Sequence, residues 1–360
     1  MKKDISEELI KLRNMKTELR SVVEILPDTR LILRLDTDLP IEDGVILDNS
    51  RLKKSIKTIE FLLKNNCKIA IIGHRGRPTD KDENLSLKTV YLELVSLLEE
   101  NYIEVESVFV ENFEDNEKID LALAANQIVF MENLRFWRGE EENDPTFLKA
   151  LMEVTQYFVN DAFGVAHRRQ ASITLHKLMP AFYGLSFLDE VRKIEEVLEN
   201  PKHPITVILG GAKTDKLTYL PGLLKIADQV LVGGKLPRLI KDSLQPPFDI
   251  EKEKLVVADL KENGLDINEE SIHKFKEIIE RGGTIIWSGA MGNFEVEENQ
   301  RGTSEIALAV ASSDAYKIIA GGDTRASLIK LGVLERINFV CSGGGALLEL
   351  LTKGSLAAWE

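Results

Sequence analysis

Ile205-Thr206-Val207-Ile208-Leu209-Gly210-Gly211-Ala212-Lys213-Thr214-Asp215-Lys216 is the stretch whose reading decides the fold. Ile205–Leu209 is apolar and β-branched, a strand by composition, and it stops at two glycines; Lys213 and Lys216 then follow. An α/β protein presents phosphate-binding groups in this way at the carboxyl end of a strand. Glycines remove side-chain bulk there, and lysines supply movable positive charge. A glycine pair after a strand also serves as a plain turn, so the stretch alone leaves both readings open.

Downstream the same rhythm repeats. Helix Thr218–Ile226 leads to strand Gln229–Val232, which ends at Gly233-Gly234-Lys235. The polar stretch Lys241–Asn263 carries a strand-like Leu255–Ala258, and helix Glu269–Arg281 leads to strand Thr284–Trp287. That strand ends at Ser288-Gly289-Ala290-Met291-Gly292. Helix Thr303–Ala311 precedes strand Tyr316–Ala320, with Gly321-Gly322-Asp323-Thr324 at its end. Strand Asn338–Cys341 meets Ser342-Gly343-Gly344-Gly345, and helix Ala346–Leu351 follows.

Upstream stand a Pro-containing joint, Asn200–Pro204, and before it a long charged helix, Ser186–Glu199. The pair reads as a connector between two lobes. The first half opens with polar helices over Met1–Leu26, then strand Arg30–Leu35 and a hairpin over Ile41–Asp48 turning at Asp43-Gly44. Helix Arg51–Asn65 follows, and strand Lys68–Gly73 ends at His74-Arg75-Gly76-Arg77-Pro78. Helix Leu87–Glu100, strand Val105–Val110, helix Ile119–Ala124 and strand Ile128–Met131 lead to Glu132-Asn133-Leu134-Arg135. Helix Pro145–Val154 and strand Tyr157–Val159 then lead to Asn160-Asp161-Ala162-Phe163-Gly164. The expected class is therefore α/β: two doubly wound parallel-sheet lobes joined by a hinge helix, with ligands where the strands' carboxyl ends converge.

Bulk properties agree with a two-domain globular chain: 360 residues, 44% hydrophobic and 29% charged. A formal charge of −13 speaks against non-specific binding to nucleic acid or to an anionic membrane. Cys67 and Cys341 lie in or beside apolar runs, which suits buried free thiols in a reducing compartment. With no signal-like or membrane-length apolar run, a cytoplasmic protein is expected.

The strand ends differ between the halves. In the first they are basic: Arg51, His74, Arg77, Arg135, His167 and Arg168, with Asp36 and Asp38 nearby. Arginine favours bidentate partners such as carboxylate and phosphate, so this grouping predicts a site for an anionic small molecule. Asp36 and Asp38 fit either a turn or the orientation of the arginines or of a substrate hydroxyl. In the second half the ends are glycine-rich: Gly210-Gly211, Gly233-Gly234, Gly321-Gly322 and Gly343–Gly345. Glycine turns that open into helices offer backbone N–H groups and a favourable dipole to phosphate. Asp323 beside Thr324 suits either magnesium bridged to nucleotide phosphates or a helix N-cap. No Walker loop, Rossmann dinucleotide fingerprint, zinc spacing or Gly-x-Ser-x-Gly elbow occurs.

With those residues in view, the chain resembles phosphoglycerate kinase from about Leu31 to Gly354. The resemblance is carried by Leu33–Pro40, Gly73–Pro78, Glu132–Phe136, Val159–Arg168, Leu209–Lys213, Trp287–Glu295, Gly321–Thr324 and Ser342–Ala346. It implies reversible phosphoryl transfer between 1,3-bisphosphoglycerate and ADP, giving 3-phosphoglycerate and ATP, with Mg2+. It implies an N-terminal phosphoglycerate lobe over residues 1–185, joined by segment 346–360, a hinge helix over 186–200, and a nucleotide lobe over 201–345. Asp36, Asp38, Arg51, His74, Arg77, Arg135, His167 and Arg168 would bind phosphoglycerate. Gly211, Lys213, Lys216, Gly233, Gly234, Ser288, Glu295, Gly321, Gly322, Asp323 and Thr324 would bind nucleotide, with Asp323 on the metal and Glu295 toward the ribose. Arg51, Lys213 and the Gly343 and Gly344 backbone would act on the transferring group, after hinge closure, in a monomer.

The chain also departs from the family's pattern. Asp36-Thr37-Asp38 stands for the family's usual Asp-Phe-Asn, Lys235 for a third glycine, and Ser288-Gly289-Ala290 for Asn-Gly-Pro. One residue is missing between Lys213 and Asp215, and Ser243–Leu265 is shortened. Apart from Asp38 on the phosphoglycerate side, these changes gather on the nucleotide side, and they raise an alternative: a catalytically impaired homologue acting as a phosphoglycerate-like anion-binding protein.

Overall fold

The structure is a computed structural model, and it describes residues 19–112, 115–242 and 253–360. Most of the helix expected over Met1–Leu26, and the first part of the shortened stretch Ser243–Leu265, lie outside them.

The described residues up to Arg192, with Leu356–Glu360, form one compact unit; Lys193–Ser355 form the other. The first is built on a six-stranded parallel sheet. Its strands are β1 (Arg30–Arg34), then, after a small hairpin of β2 (Ile41–Glu42) and β3 (Val45–Ile46), β4 (Lys68–Ile72), β5 (Ser107–Val110), β6 (Ile128–Met131), β7 (Tyr157–Asn160) and β8 (Ala181–Tyr183). The order is β5-β6-β4-β1-β7-β8. β1 lies between β4 and β7, with Leu31 in register with both Ile69 and Tyr157. Helices cover both faces, so Leu31, Ile32, Leu33, Ile69 and Ile71 are all buried and the strands read as continuous apolar runs rather than alternating ones. The hairpin turns at Asp43 and Gly44, both with positive φ, which is the geometry an Asp-Gly pair favours.

The second unit repeats the design with β9 (Ile205–Leu209), β10 (Gln229–Val232), β11 (Leu255–Val257), β12 (Thr284–Ser288), β13 (Tyr316–Ala320) and β14 (Phe339–Cys341), in the order β11-β10-β9-β12-β13-β14. The chain runs outward from β9 to β11, then returns to the other side at β12. The crevice at the carboxyl ends of β9 and β12 is therefore a topological switch point, and in the first unit the corresponding place is β1 against β7. Trp287 and Phe275 anchor the core on one face of this sheet.

The sequence missed β8 and drew helix Gly344–Lys353 too short. That helix belongs to the second unit, and only Leu356–Glu360 return to the first, a narrower return than 346–360. Thr218–Ile226 is in fact a six-residue 3-10 helix, Thr214–Tyr219, running into an α-helix, Leu220–Ile226. Cys67 and Cys341 are buried free thiols. Among the described residues no helix is long and apolar enough to cross a membrane.

Candidate active site

In the first unit, β1 carries its chain straight into the site. Arg34, its last residue, is fully buried, so desolvation lowers its pKa to about 10, against the opposing pull of Glu140 and Asp36. Its Nε donates to Ser172 Oγ at 3.1 Å, and Ser172 Oγ donates to Glu140 Oε1 at 2.6 Å. A terminal nitrogen of Arg34 faces His74 Nδ1. Burial first, and then Arg34, Arg135, Arg168 and Arg51, push the His74 pKa well below the usual histidine value. The imidazole is thus neutral. Because Nδ1 must accept from Arg34, the proton sits on Nε2. That Nε2–H is buried and has no partner among the described residues. A buried donor left open in the field of four arginines has the chemistry to receive an anion.

The carboxylates around it balance most of this charge. Asp36 Oδ1 accepts from Arg51 at 3.1 Å, and Arg51 also donates to the Asp38 carbonyl at 2.8 Å. The Asp38 carboxylate, where the family pattern has an amide, takes the Gly76 N–H at 2.9 Å and sits in the field of Arg51, Arg75 and Arg135. Arg135 donates to the Gly76 carbonyl, and its Nε lies 2.7 Å from Glu141 without alignment for a hydrogen bond. Arg168 is half-buried and has no carboxylate within ion-pair distance among the described residues, so the group keeps positive charge there. His167 is half-buried beside it. Arg77 is exposed and is not among the arginines that act on His74. The sequence pattern did not single out Arg34; a charged residue closing an otherwise apolar strand was the available signal.

In the second unit the turns after β9, β10 and β12 are laced together. Gly210 N–H donates to Ser288 O at 2.9 Å, Gly211 to Ala290 O at 2.7 Å, Gly233 to Leu209 O at 2.9 Å, and Gly234 to Met291 O at 3.0 Å. Gly234 has a φ of 65°, and a Cβ there would stand 2.5 Å from the Gly211 nitrogen. These glycines thus permit close backbone approach, and their N–H groups are already used. The helix-opening turns differ. Gly321 and Gly343 cap helices Gly322–Lys330 and Gly344–Lys353 without any side-chain cap bond, leaving first-turn N–H groups for a ligand. Thr324 Oγ1 accepts from Gly289 N–H at 2.8 Å, so that hydroxyl is held by the fold.

Between these turns lies a cleft of about 190 Å³ lined in part by Ala290, Leu265 and Phe294, with Lys235, Glu295 and Asp323 contributing charge. Lys216 is half-buried, and its Nζ donates to Gly210 O at 2.9 Å, Ser288 O at 3.0 Å and Ser288 Oγ at 3.3 Å. Desolvation, helped by Lys213, lowers its pKa to about 8; Asp323 and Asp215 oppose. Lys213 is exposed.

Asp323 is the second residue of its helix, not the N-cap, so its exposed carboxylate is not consumed by capping. Among the described residues no cluster of three or more metal-ligating side chains occurs. A lone exposed carboxylate beside this cleft still fits magnesium, an ion that keeps several waters and can share its ligands with a phosphate-bearing molecule rather than requiring a protein cage.

The comparisons with known proteins point the same way. The family model for phosphoglycerate kinase matches residues 23–245 and 239–354. The chain belongs to the phosphoglycerate kinase family. It is 34% identical to the phosphoglycerate kinase of a Nitratiruptor species, covering 91% of this chain and 94% of that one. It is 32% identical to that of Wolinella succinogenes, covering 96% and 98%. The crystal structure of phosphoglycerate kinase from Pyrococcus horikoshii superposes with a TM-score of 0.76 at 27% identity, covering 94% of this chain and 97% of that one.

Proposed function

We propose that the protein is a phosphoglycerate kinase, moving a phosphoryl group reversibly between 1,3-bisphosphoglycerate and ADP. The observation that carries this reading is the neutral His74, whose buried Nε2–H has no partner among the described residues and which lies in the field of Arg34, Arg51, Arg135 and Arg168. That arrangement suits a multiply charged phosphoglycerate, which would enter once a surrounding arginine side chain turns aside.

The second unit would hold the nucleotide, with the base in the apolar part of the cleft, Glu295 toward the ribose and the phosphates on the Gly321 and Gly343 turns. Magnesium would be held by Asp323 and supply charge neutralisation to the phosphates. Acceptor and leaving oxygens are already ionised in this reaction, so no general base is needed. The chain's own task is alignment and charge, which we assign to Arg51, Lys213 and the backbone N–H groups that follow Gly343. The buried Asp36 carboxylate orients Arg51 for that task.

Calorimetry tests the reading. Separate titrations with 3-phosphoglycerate and with MgADP should each give one site, and Arg168→Ala should weaken only the first. Binding of 3-phosphoglycerate without nucleotide binding would favour the anion-binding homologue instead.

A further inference from the structure

One side of the second unit's cleft is made of chain that belongs to no strand or helix. Leu265 lines it from one irregular stretch, and Gly292, Asn293, Phe294 and Glu295 line it from another. With no ladder to hold them, these stretches depend on ties from side chains and neighbouring backbone. A fully buried carboxylate makes several of those ties. Asp266 directly follows Leu265. Its Oδ1 accepts from Ile267 N–H at 3.0 Å. Its Oδ2 accepts at 2.9 Å from Gly302 N–H, in the first turn of helix Arg301–Ser312, whose N-cap Gln300 makes no side-chain cap bond. That N–H is one of the donors a helix start leaves open, and a carboxylate suits it.

Lys261 completes the arrangement. Its Nζ lies 3.1 Å from Asp266 Oδ2 and donates to the Glu298 carbonyl at 3.3 Å, while its own N–H donates to Asp266 O at 2.9 Å. A Cβ on Gly292 or on Gly302 would run into the Asp266 carboxylate, so the carboxylate packs directly against the backbone of both. Two further bonds carry this to the cleft. Asn293 N–H donates to Leu265 O at 2.8 Å, which joins the two irregular stretches. Buried Thr303, next to Gly302, accepts from Met291 and Gly292 N–H at 3.0 and 3.1 Å. Helix Arg301–Ser312 thus holds one stretch through Asp266 and the other through Thr303.

We propose that Asp266 is a positioning residue for nucleotide binding: held by Gly302 and Lys261, it fixes Leu265 and the Gly292–Glu295 stretch as the nucleoside wall of the cleft and touches no substrate itself. This rests on the kinase reading and deepens it, because the transferring group is handled by other residues. The wall contacts a part of the nucleotide that does not react. Loosening it therefore removes binding that ground state and transition state share, which raises the nucleotide KM and leaves kcat. A merely destabilised fold does the reverse: fewer active molecules lower the apparent kcat at unchanged KM.

The test uses the full chain, with steady-state turnover in 3-phosphoglycerate and MgATP and with MgADP calorimetry. Asp266→Asn sets an amide donor against a backbone donor or against Lys261. It should raise the MgATP KM and the MgADP Kd about tenfold. The kcat and the 3-phosphoglycerate KM should stay within about twofold of wild type. Lys261→Met keeps the test open if Asp266→Asn does not fold, and it should show the same split at about threefold. An unchanged nucleotide KM in whichever variant folds would overturn the positioning role, and so would a fall in kcat without a rise in that KM. If wild type binds MgADP but does not turn over, the kinase reading fails, and Asp266 is judged by calorimetry: its role stands if the MgADP Kd rises in the variant and falls if it does not. Wild type that binds no MgADP would overturn both.

Discussion

Replacing His74 by glutamine probes the anion site at its least ordinary group. The imidazole leaves its Nε2–H open while Nδ1 faces Arg34, and the side chain is fully buried. A hydrogen bond to a charged group contributes about 1.5–3 kcal/mol, and about 1.4 kcal/mol is tenfold in affinity. His74→Gln should therefore raise the Kd for 3-phosphoglycerate roughly 10- to 100-fold, with the MgADP Kd changed less than twofold because the nucleotide cleft lies on the other unit. The pH dependence adds a second constraint. Since burial and the arginines hold the His74 pKa well below 6.5, the ring is already neutral in the free protein through pH 6–8. The ratio of wild-type to His74→Gln affinity should stay flat across that range, measured by calorimetry in matched buffers. An unchanged Kd, or a ratio that climbs as pH falls through 6.5, would refute the neutral-donor argument.

Other perturbations follow the same logic. Buried Asp161 accepts from Phe187 N–H at 2.9 Å, at the start of helix Leu185–Glu199, and desolvation raises its pKa from 3.8 to about 7. The folded state therefore favours the protonated acid. That stability is fully present below the unfolded value and is lost as pH rises toward 7. Asp161→Asn should gain in Tm relative to wild type between pH 5 and 8; a pH-independent difference would contradict this. Gly234→Ala and Gly264→Ala both place a side chain at positive φ, but only the first meets backbone, 2.5 Å from Gly211 N, whereas Gly264 has open space. Gly264→Ala should cost about 1–2 kcal/mol and leave MgADP binding intact, while Gly234→Ala should weaken MgADP binding at least tenfold.

The strand ends were readable because parallel strands buried on both faces are unbroken apolar runs that stop where polar or glycine residues begin. The sequence alone therefore puts Asp36, His74, Arg135 and Lys213 at or just past strand ends. Arg34 was not readable, since its role depends on Ser172 and Glu140, far along the chain and brought to it only by the fold. β8 is three residues long, too short for a periodic signal. The use of the glycine N–H groups was hidden too: whether a strand-end glycine donates to a phosphate or to the next turn depends on how closely neighbouring strands approach. The same is true of Lys216, whose acceptors lie just past β9 and at the end of β12, the latter 72 residues away in sequence. Asp323 had two readings, cap or metal ligand, and only its place as second residue of the helix removed the first.

Turnover is the most direct measure of the central claim. With 3-phosphoglycerate, ATP and magnesium, formation of 1,3-bisphosphoglycerate, followed by its coupled reduction, should saturate in both substrates and fall about 10²- to 10³-fold in Lys213→Ala, as expected when a transition-state charge partner is removed. Tight binding of 3-phosphoglycerate with no phosphoryl transfer at any nucleotide concentration would contradict the account.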